Sequence, residues 1–147
     1  MKKIYKLLFL IAAIISADIN AKEWQLTENT VSIWDKPNGY FVTTDNDENM
    51  TILFKQSCDN EPTGPTKTMI NLGNEHYLSA ISHCDPKTQF KVIVPNRAAR
   101  GRIQTLLRAG LSIVIEGKYI SPENYKEAVK ELKKEQIRNL LNIRTSH

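Results

Sequence analysis

Two cysteines and two histidines are the side chains with the most evident chemistry in this chain. Cys58, Cys84, His76 and His83 are all possible zinc ligands, yet their spacing matches none of the Cys/His patterns that build a tetrahedral site. Joining the two thiols is the stronger reading. They are the only cysteines, so the connectivity is forced, and they stand 26 positions apart. In the chain-entropy picture a loop of this size removes about 3–3.5 kcal/mol of unfolded-state freedom. A catalytic Cys–His pair is disfavoured because His83 and Cys84 are adjacent, and neighbours on a strand point to opposite faces. The expectation is a structural Cys58–Cys84 disulfide, with no metal and no cofactor.

The second candidate is a cluster of cations. Arg97, Arg100, Arg102 and Arg108 fall in a stretch with no acidic residue between Asp85 and Glu116. Placed on a helix, Arg97, Arg100 and Arg108 lie on one side, opposite the apolar stripe. Guanidinium forks suit carboxylates and phosphates, so an acidic protein, a lipid head group or a nucleic acid would each fit, against the bland reading of a solvated helix face. Nucleic acid is disfavoured, because no aromatic residues are interleaved to stack bases. The charge balance agrees. The chain has 20 basic and 16 acidic residues; taking away Lys2, Lys3, Lys6 and Asp18 of the first segment leaves 17 and 15.

The acids suggest no better site. Asp45 and Asp47 have the spacing of part of a calcium loop, without its glycine and distal glutamate. Glu75, Asp85 and Glu116 are the strand-associated carboxylates from which a glycan-cleaving pair would be drawn, and nothing in the sequence sets them apart from surface charges. Gly-x-Ser-x-Gly, His-Glu-x-x-His and a glycine-rich phosphate loop are all missing. No catalytic residue is assigned, and the chain is not expected to be an enzyme.

The elements that would position these residues divide in two. From residue 23 to about residue 95 the pattern is strands and turns. Trp24 and Leu26, then Val31 and Ile33, alternate with polar residues; Asp35–Gly39 is a turn; Tyr40–Thr44 returns. Asp45–Asn49 turns again and Met50–Cys58 follows, with Ile52 and Phe54 on one face. Glu61–Pro65 is a loop, since two prolines interrupt any ladder. Thr66–Leu72, His76–Ser82 and Thr88–Val94 complete the strands, the last expected to be covered on both faces.

The C-terminal part changes to helical period. Asn96 caps a helix over Arg97–Ala109, ended by Gly110, with Ala99, Ile103, Leu106 and Leu107 inward. Leu111–Ile115 is then a buried strand. Ser121 as cap and Pro122 at the first helical position open a last helix, with Tyr125, Ala128, Val129 and Leu132 as its stripe. Glu127/Lys130, Glu131/Lys134 and Glu135/Arg138 pair along it, and a frayed tail is expected from Asn142 to His147. Strands followed by helix, strand and helix predict an α+β fold: a mainly antiparallel sheet with two C-terminal helices packed on it.

The N-terminus indicates compartment. Lys2, Lys3 and Lys6 precede an apolar run from Leu7 to Ala17, and Ala21 is the small residue a signal peptidase requires. The run is too short for a comfortable span. Residues 1–21 are thus expected to be a cleaved bacterial signal, residues 22–141 a single periplasmic domain. An uncleaved signal would bring membrane contact instead.

A tryptophan opens the domain at Trp24, a strand ends at Cys58, Cys84 follows, and Asn96 to Leu132 runs helix, apolar strand with Gly117, helix. This layout resembles the small exported proteins of the invasion-associated locus B type, and the type VI secretion accessory proteins often called VasI. The resemblance implies an exported accessory protein that binds an envelope or secretion component, and it supplies no catalytic residues. Two other classes fit the same features: a phage- or plasmid-encoded exclusion or lysis-control protein acting in the periplasm, and an envelope enzyme inhibitor presenting Asp35–Gly39 or Glu61–Pro65 to a cleft.

Overall fold

Burial with a period of two runs along the first part of the chain, and there the backbone is strand. The computed structural model describes residues 23–45, 49–62, 64–73 and 76–145. The expected signal, Asp47 and Glu75 lie outside them. Seven strands are formed: β1 (Gln25–Thr27), β2 (Thr30–Asp35), β3 (Tyr40–Asp45), β4 (Met50–Lys55), β5 (Thr66–Asn71), β6 (Tyr77–Asp85) and β7 (Phe90–Pro95). They make one antiparallel sheet in the order β1-β2-β3-β4-β7-β6-β5. The last four places are a Greek key, with β5, β6 and β7 consecutive and β4 joined to the far strand by a long connection.

One sheet face carries the core. Val31, Ile33, Tyr40, Val42, Met50, Ile52, Phe54, Ile70, Ala80 and Ile93 are buried there. Helix α1 (Arg97–Arg108) lies over β6 and β7, and helix α2 (Tyr125–Thr145) over β1 and β2. Between the helices the chain makes a short hairpin, β8 (Ile113–Ile115) with β9 (Lys118–Ile120), whose Ile113, Ile115 and Ile120 join the same core. Over the described residues the fold is therefore α+β, with two helices on an antiparallel sheet, as the sequence pattern predicts. On the opposite face Phe41, Leu53 and Val92 are buried beside half-buried Trp34 and Phe90, while Val94 and Ile81, cross-strand partners, are exposed. So β7 is fully covered on one face only, not on both.

Local signals explain α1 completely. Asn96 Oδ1 accepts from Ala99 N at 2.8 Å, and Gly110, at φ +75°, closes the end. Gly110 N donates to Leu107 O and Leu111 N to Leu106 O, a Schellman motif. Elsewhere tertiary contacts override the local pattern. The expected strand Leu111–Ile115 is shortened and forms its own two-stranded sheet, because Gly117 and Glu116, both at positive φ, turn it back at once. Ser121–Pro122 does not cap α2. Ser121 Oγ accepts from Glu123 N, and the helix starts after Asn124, whose carbonyl accepts from Ala128 N. The helix then runs through Thr145. Of the three expected side-chain pairs along α2, Glu131–Lys134 forms, at 2.8 Å. That contact holds the Glu131 carboxyl below its ordinary value.

Candidate functional site

The arginines come to the surface as a group. Arg97, Arg102 and Arg108 are exposed and Arg100 is half-buried. Arg97 and Arg108 are close to three full turns apart, about 16 Å along the helix, and so share a side. That side is not wholly opposite the apolar stripe. Gln104 lies on it between them and is buried, because α2 crosses there. Among the described residues none of the four arginines is within ion-pair distance of an acid. The helix beneath them is held at both ends. Asn96 N donates to Ser79 O in β6, and the Schellman turn fixes the other end. A guanidinium row on such a support can take carboxylates or phosphates with little reordering of its backbone.

Arg108 also borders a small cleft between α1 and α2, lined with Thr44, Asp45, Gln104, Lys133 and Gln136. Its volume, about 40 Å³, is room for a few waters and far below that of a site for an organic ligand.

The remaining candidates are absorbed by structure. Cys58 and Cys84 are joined, with Cα atoms 5.5 Å apart, so neither thiol is left for a metal or for nucleophilic attack. The bridge ties the β4–β5 connection to the end of β6. Beside it Lys91 reaches Glu61 of that connection at 3.8 Å and Glu116 of the β8–β9 turn at 4.0 Å. The Asp85 carboxylate is taken up by its own turn, accepting from Lys87 N at 3.0 Å and Thr88 Oγ1 at 2.9 Å. His83 pairs with Val92 on β7, on the face opposite Cys84. Among the described residues no three His, Cys, Asp or Glu side chains converge as a metal cluster would require.

One buried polar network escaped the sequence reading. The Trp24 indole donates to Ser121 O at 2.7 Å, Trp24 N to Glu123 O at 3.0 Å, and Asn124 Nδ2 to Trp24 O at 2.8 Å. The Trp24 ring meets Tyr125 edge-on, centroids 4.8 Å apart. The Tyr40 hydroxyl lies near Asp35 and the Ser121 backbone, and Asn38 donates to both Asp35 oxygens. Burial, then the Asp35 carboxylate, pushes the Tyr40 phenol above its ordinary value of 10.0. The network locks Trp24, just ahead of β1, to the entry of α2. The Trp24, Asn38 and Asn124 groups are taken up within the network, which suits support better than catalysis. The Asp-Lys-Pro-Asn-Gly run hinted at the Asp35 turn, but only proximity in space reveals Ser121.

No family model, characterised protein or solved structure matches this chain.

Proposed function

We propose that this chain is an exported, non-catalytic accessory protein of the bacterial envelope that binds an acidic partner protein through α1. The observation that carries the reading is the arginine group Arg97, Arg100 and Arg108, held on a helix fixed at both ends and without an ion-pair partner among the described residues. Export is supported by the disulfide, which belongs to an oxidising compartment, and by the signal-like first segment. The resemblance to exported locus B and VasI-like proteins fits the same compartment and role. A guanidinium that pairs with a desolvated carboxylate across an interface contributes about 2–5 kcal/mol on truncation, whereas one at a wet rim contributes little. The test is affinity capture from periplasmic extract with the wild type and with Arg97→Glu/Arg100→Glu/Arg108→Glu, followed by titration of the recovered protein against both. The expected result is one acidic protein held by the wild type and lost by the variant at unchanged thermal stability. Equal recovery by both removes the arginine face, and turnover of an envelope substrate by the pure protein removes the non-catalytic class.

A further inference from the structure

The strongest unassigned feature is the far end of α2. Leu132 is its last buried residue, and every residue from Ile137 to Arg144 is exposed. Yet that end is rich in apolar side chains: Ile137, Leu140, Leu141 and Ile143 are 58%, 63%, 55% and 59% exposed. Ile143, five full turns from Tyr125, continues the stripe that seats the helix on the sheet; the other three are centred off it. At 3.6 residues per turn, the face centred on Ile137, Leu140 and Leu141 is rotated about a quarter turn from that of Tyr125, Val129 and Leu132. A helix that needed only to cap the core would have turned polar here. This one presents a second apolar face, directed elsewhere.

Charge identifies what that face meets. Between Lys133 and Arg144 there are four cations, Lys133, Lys134, Arg138 and Arg144, against the single acid Glu135. Lys133 lies one turn before the apolar group and Arg144 one turn after it, both along the midline of the apolar face. This arrangement opposes self-association. A parallel pair of such helices would set Lys133 on Lys133 and Arg144 on Arg144, and an antiparallel pair would set Lys133 on Arg144, in either case cation against cation in the seam. A phospholipid surface has no such conflict. The Leu and Ile side chains enter the acyl boundary while the long basic stems bend up to phosphate. Among the described residues no helix is apolar enough to cross a membrane, so α2 would lie along the surface.

We propose that residues 133–145 form a basic amphipathic helix end that docks the domain on an anionic phospholipid surface, with Ile137, Leu140 and Leu141 inserted and Lys133 and Arg144 on head-group phosphates. The test is vesicle flotation of the full chain, so that the N-terminal segment is the same in every arm. The vesicles are phosphatidylcholine alone or with about one-third phosphatidylglycerol. The wild type floats with the anionic vesicles, and less at high salt. Ile137→Asn/Leu140→Asn/Leu141→Asn binds about tenfold more weakly or worse. Lys133→Gln/Arg144→Gln, which leaves the apolar face intact, weakens binding by about thirtyfold, roughly fivefold per cation. Equal flotation of the wild type and both variants overturns the proposal. So does flotation indifferent to phosphatidylglycerol, or a dimer in vesicle-free buffer that the triple substitution dissolves.

Discussion

Removing the disulfide tests the topology most directly. The β4–β5 connection, residues 56–65, is the one link in the sheet that must pass two other strands, β7 and β6, to reach its own position. Three strand spacings make that passage about 14 Å. Cys58 sits near its start, tied to Cys84, and the Cys58 N–H is held by Gln89 Oε1 at 3.2 Å. For cysteines 26 positions apart the loop-closure entropy lost by the unfolded chain comes to about 3.5 kcal/mol. Both cysteines are buried, so Cys58→Ala/Cys84→Ala also loses a little packing. The expected total is about 3–4 kcal/mol. With a urea dependence of about 1.5 kcal/mol per molar, the midpoint falls by about 2 M. The assay is equilibrium urea unfolding of the oxidised wild type and the double variant, followed by circular dichroism, with thiol titration of the denatured wild type beforehand. A midpoint shift below about 0.5 M would refute the entropy reasoning. Free thiols in the denatured, unreduced wild type would refute the bond itself.

Two further outcomes follow from the buried polar groups. The Tyr40 pKa is raised in the fold, so its contribution to stability is complete below the ordinary value of 10.0 and is lost as pH rises through the folded value. Tyr40→Phe should therefore flatten the alkaline limb of the stability–pH curve and lower stability at neutral pH by about 1–2 kcal/mol, read by thermal melts against pH; an unchanged limb would place the alkaline loss elsewhere. Asn96→Ala removes the acceptor of the Ala99 N–H and should cost about 1 kcal/mol in urea, with amide exchange quickened in the first turn of α1; a loss near zero would mean that the tie from Asn96 N to Ser79 O positions α1 without help from the side chain.

Much of the α+β architecture was legible because it depends on short-range pattern. Alternation at Val31–Ile33 and Ile52–Phe54 committed those strands, and these residues do face the core. The Asn96 cap and the Gly110 stop are contained within a turn of the helix they bound, and both hold. The arginines of α1 were legible by the same helical spacing, but not the crossing of α2 that buries Gln104 among them. Strand ends were less legible. The Met50–Cys58 run stops at Lys55, and β6 extends to Asp85, because ladder length depends on the partner strand.

Sequence alone determined what a few neighbouring residues can decide: strand or helix period, the forced Cys58–Cys84 pairing, the α1 boundaries, and the arginine side of that helix. Tertiary structure decided what needs residues far apart in the chain. Ser121–Pro122 has every local mark of a helix start, yet the Ser121 carbonyl takes the Trp24 indole. Asn124 adopts φ +63° and spends its side chain on Trp24 O, 100 positions away, so the helix begins there. A local cap is worth about 1 kcal/mol, and the burial of a tryptophan with all its polar groups satisfied outweighs it. The sheet order arises in the same way, from which apolar faces can be closed together in three dimensions.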